Sequence, residues 1–219
     1  MISVIIPTKE EPGIQSLIDK INELVKQPHE IIIVDDSASQ PSVNGARVIK
    51  QQSHGLGNAV MEGVQQSSGD VILTMDGDGS HRPEDIHKLI SALNSSDVVI
   101  GSRFARDGMT FDVTHRKLAS FLFRKFSSSV LDMGIEDPMS GFCAFKKNVL
   151  GKVKLKPLGM KIILELAYKA KRAGYTCKEV PITFERRAYG KSKSGASVGG
   201  IAESLRIITL VFELKLGLR

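Results

Sequence analysis

Apolar runs alternate with amphipathic stretches through the first ~100 residues, the pattern of strands separated by helices. Ile2–Pro7 is an apolar run that ends in proline. Ile31-Ile32-Ile33-Val34 fills Glu30–Asp35, Val71-Ile72-Leu73-Thr74-Met75 fills Asp70–Met75, and Val98-Val99-Ile100 fills Asp97–Gly101. Runs of this kind lack a polar residue at alternate positions, so they predict strands covered on both faces. Arg47–Lys50 is a further candidate strand. Between them, Ile14–Lys26 places Ile14, Leu17, Ile18, Ile21, Leu24 and Val25 at helical spacing. Gly55–Gln66 and Arg82–Leu93 also read as helices, the latter with Pro83 in its first turn. Strand–helix alternation predicts an α/β fold, a mainly parallel sheet flanked by helices on both faces.

The second half is less regular. His115–Leu131 and Ile162–Arg172 predict helices, and Phe142–Phe145 and Thr176–Phe184 predict strands. Val198–Leu216 is amphipathic: Ile201, Leu205, Ile208, Phe212 and Leu216 form one stripe, widened by Leu210, Val211 and Leu214. Residues 1–197 are expected to form one domain, with 198–219 a C-terminal amphipathic helix.

Sheets of this class bind ligands at the carboxyl ends of their strands. Three of those ends are acidic here: Glu10-Glu11 after the first strand, Asp35-Asp36 after the second, and Asp76-Gly77-Asp78 after the run at 70–75. Carboxylates on one edge repel, and a divalent cation or a set of hydroxyl donors would compensate them. Asp76 and Asp78 flank a glycine that permits close backbone approach, and Mg²⁺ or Mn²⁺ favours a few carboxylates plus phosphate oxygens. An isolated Asp-x-Asp is more often a solvated acidic turn; the preceding buried strand and the shared edge with Asp36 favour the metal. Gly55-Leu56-Gly57-Asn58-Ala59 lacks the third glycine of a dinucleotide loop and reads as a tightly packed helix start. Arg103 follows a strand, Arg116 and Ser120 lie one helical turn apart, and Arg187, Gly190, Ser192 and Lys193 share a short loop. Guanidinium forks match phosphate geometry, so these groups together suggest two phosphate-bearing ligands.

Bulk properties narrow the choice. The 219 residues suit one large domain, and a net charge of +6 with a pI near 9.3 points to phosphate-bearing or anionic partners. Trp is absent and aromatics make up 5%, which argues against a stacking platform for single-stranded nucleic acid. Cys143 and Cys177 have no metal-ligand spacing and are expected to be packed, reduced thiols. No secretory leader and no membrane-spanning run is expected from the pattern.

These stretches, in this order and spacing, resemble the family-2, GT-A-fold glycosyltransferases, and within them the dolichol-phosphate mannose synthases. The resemblance runs from Ile2 to about Lys193. It is carried by Ile6-Pro7-Thr8 with Glu11, Val34-Asp35-Asp36-Ser37, Gly55–Ala59, Asp76-Gly77-Asp78 with Ser80–Glu84, Gly101–Phe104, Arg116 with Ser120, Ser140-Gly141-Phe142, Glu179–Ile182 and, most specifically, Phe184–Lys193. It implies transfer of a sugar, foremost mannose from GDP-mannose, to dolichyl or polyprenyl phosphate with inversion. It implies that Pro7, Lys9, Glu11, Val34, Asp36 and Gly77 contact the donor, and that Asp76, Asp78 and Ser80 hold Mg²⁺ or Mn²⁺. Arg187 and Lys193 would clamp the donor phosphates, Arg187 acting with the two aspartates in catalysis, and Arg103, Arg116 and Ser120 would receive the acceptor phosphate. Lys9-Glu10 stands where relatives usually show Tyr-Asn, and Ser80 where they often show Gln. The expected setting is the cytoplasmic face of a membrane, reached directly or through a small membrane-protein partner, with no nucleic acid bound. Alternatives are another nucleotide sugar such as UDP-glucose, a soluble acceptor, a nucleotidyltransferase, or a nucleotide-binding module without turnover.

Overall fold

The computed structural model describes residues 1–111, 114–158, 161–187 and 198–219, without the side chains of 114–121 and 198–201. Its elements are β1 (Ile2–Thr8), α1 (Ile14–Leu24), β2 (His29–Asp35), β3 (Arg47–Lys50), α2 (Leu56–Gln66), β4 (Val71–Thr74), α3 (Ile86–Ala92), β5 (Val98–Ser102), β6 (Met109–Thr110), α4 (Thr114–Leu131), β7 (Cys143–Lys146), α5 (Ile162–Arg172), β8 (Cys177–Pro181), β9 (Thr183–Phe184) and α6 (Val198–Lys215). The main sheet has the order β3-β2-β1-β4-β7-β5-β8 and is parallel except for β7, which runs against both β4 and β5.

The apolar runs are covered on both faces, as their lack of alternation predicts. Along β1 and β2, Ile5, Ile32 and Val34 join α2 in one core cluster, while Val4, Ile6, Ile31 and Ile33 join α1 in the other. α3 adds to the α1 side through Ile86 and Leu89. α5 and α6 complete the α2 side. α2 approaches the sheet closely because Gly63 faces it: a Cβ there would lie 2.4 Å from Ile5 Cγ2 and 3.1 Å from Val34 Cγ2.

Several boundaries differ from those the sequence predicts. The segment Arg82–Leu93 opens as a tight 3₁₀ turn over Pro83–Asp85 before α3 begins. The single strand expected over Thr176–Phe184 is two. β8 pairs with β5 as far as Pro181, and after the buried Ile182 the chain leaves for a small sheet in which β9 pairs with β6. α6 is apolar on two opposite faces. Ile207, Leu210, Val211 and Leu214 are buried in the core, while Leu205, Phe212 and Leu216 are 60%, 49% and 68% exposed. Positions 205 and 207 point about 200° apart around a helix, so one helix serves both faces. The stripe expected from periodicity is thus the outward one, and the residues expected to widen it are the ones that pack. Cys143 is buried and Cys177 half-buried, both as free thiols.

The sheet order creates a switch point. From β1 the chain moves to β2 and β3 on one side and then returns to β4 on the other, so the connections diverge at the carboxyl ends of β1 and β4. Open α/β sheets place ligands in the crevice formed there.

Gly63→Ala is expected to lower unfolding stability by about 1–3 kcal/mol, the cost of overpacking, in urea denaturation. Gly151→Ala, where a Cβ meets nothing within 4 Å, is expected to leave it unchanged.

Candidate active site

Every strand end at the crevice carries a polar group, and each carboxylate has its own arrangement. Asp35, at the end of β2, accepts Thr8 Oγ1 at 2.9 Å and the Ser37 amide and hydroxyl at 3.1 and 2.8 Å. Asp36 takes Lys9 Nζ at 2.6 Å, and this contact holds its pKa below the ordinary carboxylate value. Lys9 and Asp36 are therefore partners of each other in this structure. Between the ends of β1 and β2 lies a cavity of about 550 Å³, lined by Thr8, Glu10, Glu11, Pro12, Asp35 and Ser37 among others. Pro7 is half-buried at the end of β1. Val34 is fully buried with α2, so any ligand contact it makes must use its backbone.

Asp78 is nearly buried and both of its oxygens are taken. Oδ1 accepts the Ser80 amide at 3.0 Å and the Ser80 hydroxyl at 2.5 Å, and Oδ2 lies 2.9 Å from Arg187 Nε. Ser80, expected from the sequence as a metal ligand, is fully buried and donates its hydroxyl proton to Asp78. Asp76 differs: its side chain is 30% exposed, and it accepts no hydrogen bond from the described residues. Its backbone amide donates to Nδ1 of the buried His81 at 2.9 Å. The imidazole stacks on Phe142 with centroids 5.0 Å apart and meets Phe184 edge-on at 5.3 Å. Burial pushes the His81 pKa down, and its Nδ1, accepting the Asp76 amide, braces the turn. Gly77 sits against β1, where a Cβ would come 2.9 Å from Thr8 Cγ2. Gly141 sits against Asp76, where a Cβ would come 3.1 Å from Oδ1.

The antiparallel β7 brings its preceding loop to this edge. Asp137 there holds Arg103 in a two-pronged pair, Nε–Oδ2 at 2.7 Å and Nη2–Oδ1 at 2.8 Å. The Asp137 side chain is fully buried and that of Arg103 is 11% exposed. The Arg103 guanidinium also lies over Phe104 and Phe184, 5.3 and 5.2 Å from the ring centroids. The sequence suggests Arg103 as a phosphate fork; its Nε/Nη2 edge is held by Asp137. Arg116 and Ser120 fall on α4 with their side chains outside the described residues, and Lys193 lies outside the described residues.

Asp137 and Lys161 border the site without any mark in the sequence pattern, and Glu179 borders it with none beyond its place in the Glu179–Ile182 stretch. Glu179 accepts the Glu136 and Asp137 amides at 2.6 and 2.7 Å, fixing the loop that carries Asp137; burial raises its pKa. Lys161 donates to the Met139 carbonyl at 3.1 Å. Burial and Arg103 push its pKa down, while Asp76, Asp137 and Glu203 oppose them. Polarity directly after a strand is the signal that marks the other site residues, and none of these three sits there.

The sequence matches glycosyl transferase family 2 over residues 3–154. The chain belongs to that family. It is 39% identical over 210 residues to a dolichol-phosphate mannosyltransferase of Pyrococcus furiosus, covering 88% of this chain and 58% of that protein. A polyprenol monophosphomannose synthase of Mycolicibacterium smegmatis is 31% identical over 217 residues, with 89% and 81% covered. An undecaprenyl-phosphate mannosyltransferase of Micrococcus luteus is 31% identical over 219 residues, with 89% and 88% covered. The fold matches glucosyl-3-phosphoglycerate synthase from Mycobacterium tuberculosis in complex with Mn²⁺, UDP and glucosyl-3-phosphoglycerate, with a TM-score of 0.73 at 22% identity over 99% of this chain and 80% of that one. A second structure of that enzyme holds Mg²⁺ and UDP, also with a TM-score of 0.73. The α/β fold expected from the sequence, with its helix-flanked and mainly parallel sheet, is therefore the GT-A fold.

Asp137→Ala is expected to cost about 3–5 kcal/mol in chemical denaturation, because it strips a buried guanidinium of its carboxylate. Replacing both partners by Met and Leu is expected to cost less than Asp137→Ala alone.

Proposed function

We propose that the chain transfers mannose from GDP-mannose to dolichyl or another polyprenyl phosphate at a membrane surface, inverting the anomeric centre. The observation that carries this reading is the Asp76–Asp78 pair at the switch point, with Arg187 above it and Arg103 across β7 from it. The relatives named as polyprenyl-phosphate mannosyltransferases support the reaction.

The donor set suits Mg²⁺ or Mn²⁺. Asp76 is open to solvent, Gly141 leaves its Oδ1 uncrowded, and a cation already lies on Asp78 Oδ2. Asp76 and Asp78 would hold the ion, which when bound supplies Lewis-acid stabilisation to the leaving diphosphate. The cavity at the ends of β1 and β2 would take the nucleoside. Glu10 and Glu11 line it, and a carboxylate accepts the adjacent N–H donors of guanine's edge, which uracil lacks. Lys9, Asp36 and the backbones of Pro7, Val34 and Gly77 would frame the ribose and base. Arg187 and Lys193 would bind the diphosphate, and Arg103, Arg116 and Ser120 the acceptor phosphate.

In the reaction an acceptor phosphate oxygen attacks the anomeric carbon while the bond to the diphosphate breaks. Such a phosphate has a second pKa near ~6, so it needs no base, and His81 has none to offer with Nδ1 engaged by the Asp76 amide. The protein contributes alignment and charge stabilisation.

The outward face of α6 supports membrane docking. Leu205, Phe212 and Leu216 are exposed there, Phe212 meets Phe126 of α4 at 6.0 Å, and Arg206 and Lys215 lie nearby on the surface. An apolar face with basic neighbours suits an anionic interface. No helix among the described residues is long and apolar enough to cross a membrane. A small membrane-protein partner would serve the same face.

Asp76→Asn and Asp78→Asn are each expected to abolish mannosyl transfer from GDP-mannose to polyprenyl phosphate, with the circular dichroism spectrum unchanged. Turnover with UDP-glucose or with a soluble acceptor instead would redirect the assignment, and pyrophosphate release would mark a nucleotidyltransferase. The Ile208→Ser/Phe212→Ser variant, folded by circular dichroism, is expected to lose co-sedimentation with anionic liposomes. Equal sedimentation of both proteins, or of neither at low salt, would rule out direct docking through this face.

A further inference from the structure

Resting on the metal-site reading above, we propose that Arg187 is the resident counter-cation of Asp78, and that metal and nucleoside diphosphate therefore bind as a linked pair. Arg187 Nε lies 2.9 Å from Asp78 Oδ2, and the other oxygen is held by the Ser80 amide and hydroxyl. The Asp78 side chain is 6% exposed, so it has no open face on which to receive a second cation. A divalent ion can reach Oδ2 only by displacing the guanidinium. Both cations at one buried oxygen would repel strongly.

The backbone before Arg187 is tied down. Thr183 donates its amide to Asp85 Oδ2 at 3.0 Å, Phe184 bridges to His81, and the Glu185 amide donates to the Ser80 carbonyl at 2.9 Å. The Arg186 side chain donates to the Phe111 carbonyl at 3.2 Å. These ties fix the chain up to Arg186, and the Arg187 side chain beyond them is about one-third exposed. Metal alone would strand the displaced guanidinium without an anion. A diphosphate arriving with the metal supplies one, and each ligand thereby strengthens the other by the same factor.

The test is Mn²⁺ titration of the full chain, read by electron paramagnetic resonance of free Mn²⁺, first alone and then with GDP. Arg187→Gln is expected to bind Mn²⁺ alone roughly fivefold more tightly than the unsubstituted protein, the size of a partly exposed ion pair. GDP is expected to tighten Mn²⁺ binding much less in that variant. Arg187→Lys keeps a cation and is expected to bind Mn²⁺ alone as the unsubstituted protein does. A misfolded variant cannot mimic a gain in affinity. Equal or weaker Mn²⁺ binding by Arg187→Gln, with Asp78→Asn still eliminating it, would overturn the proposal and leave the metal site standing. Unchanged Mn²⁺ binding by Asp78→Asn would overturn the metal site itself.

Discussion

The site depends on one constraint: several carboxylates converge on one edge of the sheet, and each must be compensated or left accessible for a cation. Asp35 is compensated by local hydroxyl and amide donors, Asp36 by Lys9, Asp137 by Arg103, and Asp78 by Ser80 and Arg187. Asp76 is 30% exposed and accepts no hydrogen bond from the described residues. Desolvating a carboxylate without a partner costs several kcal/mol.

Much of the fold is legible because burial on both faces leaves a plain trace. The uninterrupted apolar runs at Ile31–Val34 and Val71–Met75 have few structural alternatives, and the strands lie within a residue or two of their expected places. Arg47–Lys50 matches its strand although its burial is only partial. Less legible is the break at Ile182. An apolar residue that passes from one sheet to another looks like one that continues a strand. α6 misleads in a similar way, since periodicity reports that a helix is amphipathic but not which of two apolar faces finds the core.

The acidic half of the site is legible in the polar residues placed directly after each strand. That signal works for parallel strands, whose carboxyl ends share an edge. It fails for β7, whose antiparallel direction turns its preceding loop toward the site, and so Asp137 carries no such mark. Lys161, just before α5, has no local signal either; its importance comes from a tertiary contact with the Met139 carbonyl. Ser80 lies beside Asp78 as its position suggests, and its hydroxyl donates to that carboxylate. A sequence shows proximity and not which lone pair or proton is engaged.

The inserted β7 also fixes a dimension. Neighbouring strands lie about 4.8 Å apart, so one strand between β4 and β5 sets their ends about 10 Å from each other. Asp76 follows the first of these strands and Arg103 the second. The sheet thus acts as a ruler whose unit is the hydrogen-bonded strand, and side-chain substitution cannot change its length. Under the proposed function, a sugar flanked by an anion at each end matches that interval. Adding or removing a strand would alter the spacing in steps too coarse for the chemistry to follow. Substitutions on this frame can therefore change which groups stand at the two strand ends, but not the distance between those ends.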